Sequence, residues 1–120
     1  MSGQWDLVRH ADCEGGVFSA SARAGGESPW FAGHFPGEPI LPGIALLAIA
    51  ADTVRQCELK SGSSVVVSGF RKVRFKKVVL PGEEMIVNVK KIDDRSYYFE
   101  ITTAAKETAC TGVISGESAG

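Results

Sequence analysis

Histidine and cysteine are both scarce in this chain, and each scarcity excludes something. Cys13, Cys57 and Cys110 are too few, odd in number and too far apart in sequence for a disulfide framework or a CxxC metal site. That pattern points to a soluble protein of a reducing compartment, the cytoplasm. An excess of positive charge is also missing. Thirteen basic and fourteen acidic residues leave a net charge of −1, which argues against wholesale nucleic-acid binding. Long apolar runs are absent. The longest, Ile40 to Ala51, is twelve residues and holds Pro42 and Gly43, whereas a membrane-spanning helix needs about 20. Met1–His10 has no apolar signal-peptide core. There is no GxxxxGK loop, no GxGxxG opening a helix, no metal-ligand cluster and no internal repeat, so neither a cofactor nor a metal is implied. What remains is 120 residues, 44% hydrophobic and 22% charged, an ordinary globular balance that suits one domain over residues 1–120.

Glycine and proline punctuate the chain. A first strand is expected from Trp5 to Ala11. Gly15-Gly16 and Gly25-Gly26 bracket Val17–Arg23, which reads as a second strand between turns. From Glu27 to Pro42 the chain holds Pro29, Pro36, Pro39 and Pro42, which excludes a helix and predicts a long shaped loop. A helix follows from Gly43 to Gln56, with Pro42 suited to its first position because proline has no N–H to leave unpaired. Every side chain from Ile44 to Ala51 is apolar, so this helix is expected to be buried on nearly all sides. Ser64–Leu80 is rich in Val and Phe, with Gly69 a candidate bulge. Strands are also expected at Glu84–Ile92, Tyr97–Ala104 and Thr108–Ile114, with turns at Pro81-Gly82, Asp93-Asp94 and Ala105–Glu107 and a frayed tail from Ser115. In Tyr97-Tyr98 one ring should face the core and the other solvent. One helix covered by a curved antiparallel sheet satisfies this order, an α+β architecture. A small sheet cannot surround such a helix alone, so a second copy is expected to complete the cover.

Of the two histidines, His10 and His34, the second lies in the proline-rich loop, eight residues before the apolar stretch opens at Pro42. An imidazole can serve as a base near neutral pH. The helix start at Pro42-Gly43 leaves backbone N–H donors unpaired, and these suit a carbonyl oxygen gaining negative charge. A base beside such donors fits proton abstraction next to a thioester carbonyl. A loop histidine that merely caps a turn is the alternative reading.

The segment His34-Phe35-Pro36-Gly37-Glu38-Pro39-Ile40-Leu41-Pro42-Gly43, with Phe31-Ala32-Gly33 before it, closely resembles the signature of the 3-hydroxyacyl-[acyl carrier protein] dehydratases. Val73–Glu83, a strand ending in Pro-Gly-Glu, is similar to a second family segment. The resemblance implies the hot-dog fold, a homodimer with active sites at the subunit interface, and dehydration of a 3-hydroxyacyl thioester to the trans-2-enoyl form in fatty acid biosynthesis or related acyl metabolism. It implies that His34 removes the C2 proton and that the Gly43 amide holds the thioester carbonyl. It further implies that Phe31, Phe35, Pro36, Leu41 and Pro42 shape the acyl site. No cofactor is needed.

One position departs from the pattern. The family carries a Glu or Asp on the central helix, five residues after the motif's last glycine, contributed from the partner subunit to protonate the leaving hydroxyl. Here that position is Ala48. A positioned general acid is worth about 10²–10⁴-fold, or roughly 3–5 kcal/mol of barrier. Asp52, one turn later on the same face, and Glu38, within the loop, are the candidate substitutes. An Arg55-paired Asp52 and a solvent-exposed Glu38 are the alternatives to those roles. Hydrolysis of the thioester on the same scaffold is a second explanation of Ala48, because it needs no acid for a leaving hydroxyl. A non-catalytic acyl-binding or partner subunit is a third, and a hetero-oligomer whose other chain supplies the carboxylate is also open. Arg71, Lys72, Arg74, Lys76 and Lys77 place five basic residues within seven positions. They suit either an anionic partner, acyl carrier protein or coenzyme A, or a charge-protected strand edge.

Overall fold

The structure, a computed structural model, describes residues 7–25 and 41–118. Its elements run β1 (Val8–Glu14), β2 (Val17–Arg23), α1 (Gly43–Lys60), β3 (Val65–Phe75), β4 (Glu84–Asp93), β5 (Ser96–Thr103) and β6 (Thr108–Ser118). The strands form one antiparallel sheet of order β1-β2-β4-β5-β6-β3, so β1 and β3 are its edges.

Alternation builds the inner face. Phe18, Ala20 and Ala22 of β2, Met85, Val87 and Val89 of β4, and Tyr97, Phe99 and Ile101 of β5 all point inward and are buried. Between them lie polar or exposed neighbours such as Asn88 and Lys90, the signature of a sheet with one covered face. Tyr97 is fully buried and Tyr98 exposed, as expected for adjacent strand residues. Helix α1 packs Ala45, Leu46, Ile49, Ala50 and Val54 against this face. Thr53, buried on the same helix, donates its hydroxyl to the Ile49 carbonyl at 3.0 Å and so leaves no orphan.

The turns follow their chemistry. Gly15 and Gly16 join β1 to β2 with φ of +57° and +81°, the double left-handed conformation that a tight two-residue hairpin requires. The register of β3 against β6 shifts between Val67 and Gly69, where a bulge was expected, and again between Arg71 and Arg74. Lys72 takes φ +54° at the second shift.

Several boundaries differ from the sequence expectation. The first strand is shifted toward the hairpin and ends at Glu14. Pro42 is the residue before the helix, with extended ψ of 152°, and does not occupy the first helical turn. The helix runs one turn past Gln56, to Lys60. Ser115–Ser118 is not frayed: it pairs with Val65–Gly69 of β3. Burial of the helix is also uneven. Ile44 is exposed and Leu47 and Ala48 are half-buried, so one side of its first turns is left open by the described residues.

The cysteines give the clearest correction. Cys13 of β1 and Cys57 of α1 form a disulfide across 44 residues of chain. Separation along the sequence did not prevent pairing, because the sheet brings the first strand against the helix's last turns. Cys110 remains a free thiol, buried in β6, and burial pushes it up to about 11.

Candidate functional site at the start of the helix

The helix opens without a side-chain cap and without an acidic residue in its first turn. Its N-terminal partial positive charge is therefore not neutralised by its own side chains. The first turn is tightened by the Ala45 N–H donating to the Pro42 carbonyl at 2.9 Å. The chain entering the helix is pinned from behind, because the Leu41 N–H donates to the Val79 carbonyl at 2.8 Å and both residues are buried. Leu41 is thus held in the core, while Pro42 and Gly43 sit half-buried at the edge of it.

Gly43 is confined on one side by Phe75, the last residue of β3. A Cβ at position 43 would lie 2.8 Å from the ring's Cζ and 2.9 Å from Cε1. Glycine therefore lets the ring approach the helix backbone closely. Phe75 was not singled out from the sequence. Its only signal there was membership of the Val73–Glu83 segment.

Ala48 lies half-buried one turn further along the open side, and Asp52 a turn beyond that. The Asp52 carboxylate accepts from the Arg55 guanidinium at 2.7 Å on the helix surface, which is the ion-paired alternative considered for it. His34, Glu38, Phe31, Phe35 and Pro36 lie outside the described residues. His10 lies on the exposed side of β1, at a bulge with φ +49°, on a different element from the helix start.

The basic residues of β3 and of the two positions after it divide. Lys77 pairs with Glu107 at 2.9 Å, and that carboxylate raises its pKa. The Arg71 guanidinium donates to the Ser96 hydroxyl at 3.4 Å. Lys72, Arg74 and Lys76 are exposed on or beside the edge strand and make no ion pair among the described residues.

A second polar cluster occupies the opposite end of the helix. Glu58 is buried in the last turn, where its Oε2 accepts from Tyr97 Oη at 2.5 Å and from Lys91 Nζ at 2.8 Å. Burial alone would raise this carboxyl, but the two donors and the ammonium charge outweigh it and hold its pKa below the ordinary value. Burial, together with the hydrogen bond to that carboxylate, pushes the Tyr97 phenol well above its usual value. A pocket of about 280 Å³ lies beside this cluster, against Cys13, Gly16, Glu58, Ser61 and Lys91. Sequence reasoning missed the cluster, since Glu58, Lys91 and Tyr97 sit on three different elements. Among the described residues no cluster of His, Cys, Asp and Glu could hold a metal, and no helix is long and apolar enough to cross a membrane.

Comparison with known proteins places these features. Residues 12–113 match the ApeI-like family, described as ApeI dehydratase. The chain is 40% identical over 90 residues to the 3-hydroxyacyl-[acyl-carrier-protein] dehydratase FabZ of Haemophilus influenzae strain PittEE, covering 68% of this chain and 61% of that protein. It is 33% identical over 110 residues to the FabZ of Yersinia enterocolitica, covering 84% of this chain and 66% of that protein. The chain thus spans about three fifths of the length of the first of these relatives. Among solved structures it is similar to the dehydratase heterocomplex ApeI:P from Xenorhabdus doucetiae, with a TM-score of 0.77, 19% identity, and coverage of 92% of this chain and 96% of that one. It is also similar to a hypothetical thioesterase from Streptococcus pneumoniae solved with coenzyme A, with a TM-score of 0.70, 9% identity, and coverage of 93% and 98%. These likenesses establish the hot-dog fold, a curved antiparallel sheet around one central helix. Because the family match extends over residues 12–113, most of the chain, the chain belongs to the ApeI-like dehydratase family.

Proposed function

We propose that the chain is a 3-hydroxyacyl-thioester dehydratase, a hydro-lyase of fatty acid biosynthesis or related acyl metabolism. The observation that carries this reading is the opening of α1. It is an uncapped helix start at a glycine with no acidic side chain in the first turn, immediately after the His34–Gly43 segment. In this reading the Gly43 N–H donates to the thioester carbonyl as it gains enolate character. His34 takes the C2 proton, and the C3 hydroxyl leaves as water to give the trans-2-enoyl thioester. Leu41 and Pro42, with Phe31, Phe35 and Pro36 of the preceding segment, line the acyl site. Lys72, Arg74 and Lys76, which form no ion pair among the described residues, offer positive charge to the phosphates of acyl carrier protein or coenzyme A.

The single domain acts as a homodimer in this reading. Edge strand β3, with its exposed Val66, offers an unpaired strand edge to a second copy. Ala48, on the open side of the helix, lacks the acid that would protonate the leaving hydroxyl. Asp52 and Glu38 are the substitutes within the chain. Asp52 would have to leave Arg55 to serve. Ala48 specifically favours a second reading, a hetero-oligomer in which another subunit brings the carboxylate; the similar ApeI:P structure is itself a dehydratase heterocomplex. The cytoplasmic placement rests on the acyl-carrier chemistry, while the Cys13–Cys57 bond is the observation that weighs against a reducing compartment.

The test is to offer the purified chain a 3-hydroxyacyl thioester and a simple acyl thioester. Enoyl product supports dehydration, free thiol supports the hydrolase reading, and neither supports an acyl-binding or partner subunit. His34→Ala should abolish turnover, and retained turnover would refute the assigned base. Ala48→Glu should raise dehydration by about 10²-fold or more if only the acid is missing.

A further inference from the structure

Phe75 occupies a place at the helix start that its exposure does not explain. Its backbone is fixed: it pairs with Cys110 of β6, and the next residue, Lys76, donates its N–H to the Ala109 carbonyl at 2.8 Å. The residue is 54% exposed, yet one edge of the ring stands against Gly43 at a spacing that leaves no room for a methyl group there. Ile44, Val78 and Leu80, all exposed and apolar, lie on the segments that flank the Leu41–Val79 backbone bond. The helix thus opens at a glycine with an aromatic ring packed against it, and exposed apolar residues lie on the neighbouring segments.

We propose that Phe75 is the positioning residue for the thioester. Its ring forms the wall against which the carbons on either side of the thioester carbonyl lie, so that the carbonyl oxygen meets the Gly43 N–H and water is kept from that donor. This rests on the dehydratase reading. The ring takes no part in proton transfer. Its contribution is geometric and dielectric: a hydrogen bond to a developing oxyanion is stronger in a site from which water is excluded, and small misplacement of the reacting carbonyl is costly in rate.

Replacement of Phe75 should separate function from folding. Because the ring is half exposed, Phe75→Ala should leave the melting temperature within a few degrees of the parent chain. Its kcat/KM for a 3-hydroxyacyl thioester should fall about 10–100-fold, with most of the loss in kcat. Phe75→Tyr, which keeps the ring, should recover most of the activity. The decisive form is a double-mutant cycle with Gly43→Ala. In the parent chain the new methyl forces the ring aside, whereas in Phe75→Ala it meets no ring, so the activity lost to Gly43→Ala should be several-fold smaller in the second background. Additive losses, or a Phe75→Ala chain with unchanged kcat, would overturn the proposal. A parent chain inert toward every thioester would overturn the substrate role along with the dehydratase reading. The same cycle read by melting temperature would still report whether ring and glycine are in contact.

Discussion

The two ends of α1 are built to opposite specifications. At the C-terminal end, Cys57 is bonded to Cys13, Glu58 is held by Lys91 and Tyr97, and the Lys60 ammonium donates to the Ala11 carbonyl at 2.7 Å. The last carbonyls are taken up as well, since Ser61 and Ser63 donate their N–H groups to Cys57 and Glu58. At the N-terminal end, about 22 Å away along the axis, no side chain caps the helix, and Ile44, Leu47 and Ala48 are left partly uncovered. Covalent, ionic and hydrogen-bonded anchoring at one end lets the other keep its backbone donors unengaged by side-chain caps. Stability should therefore respond to substitutions near Glu58, and chemistry to substitutions near Gly43.

The largest expected effect on stability comes from the disulfide. Closing a loop of 44 residues is worth about 4 kcal/mol on the chain-entropy account. Cys13→Ser should lower unfolding stability by roughly 2–4 kcal/mol in a denaturant titration. A titre of three free thiols in the unfolded, unreduced protein would contradict the bond itself. Next is Lys91→Met, which leaves the buried Glu58 carboxylate with one donor instead of two. Since Lys91 is itself about one third exposed, the cost should be about 2–3 kcal/mol, below that of a fully buried pair. Tyr97→Phe removes a hydrogen bond to a charged acceptor and should cost about 1.5–2 kcal/mol. Arg55→Ala, which frees Asp52 on the helix surface, should cost less than 1 kcal/mol. If Arg55→Ala instead raised turnover, Asp52 would gain standing as the substitute acid.

The same cluster sets a pH window. Glu58 has its carboxyl lowered in the folded state, so its contribution is present above the ordinary glutamate value of 4.5 and is lost as pH falls through the folded value. Tyr97 has its phenol raised, so its contribution is present below about 10 and is lost as pH rises beyond that. Melting temperature should therefore hold between these limits and fall outside them. Tyr97→Phe should flatten the alkaline limb, and an unchanged alkaline limb would mean that the phenol does not govern it.

The two ends also differed in how far they could be read from the chain. Local signals reported the N-terminal end well. Pro42-Gly43 followed by an unbroken apolar run located the helix start to within one residue, and Gly15-Gly16 located the hairpin. The alternation of Met85, Val87 and Val89 gave the covered face of β4 for the same reason, since period two is written in adjacent residues. The C-terminal end was not legible. Cys13 meets Cys57, and Glu58 meets Lys91, only because the sheet curls β1 and β4 against the helix, and spacing along the chain carries no trace of that. The Phe75–Gly43 contact is of the same kind. The length of β6 was missed because pairing with β3, and not the composition of Ser115–Ser118, keeps those residues in the sheet.

The most direct measurement is deuterium exchange at C2 of a 3-hydroxyacyl thioester in D2O, followed by mass spectrometry. A base and an oxyanion donor without the helix carboxylate should label C2 faster than enoyl product accumulates, and His34→Ala should stop the labelling. Absence of C2 exchange in the parent chain, or undiminished exchange without His34, would contradict the assignment of the helix start as the place where the thioester is activated.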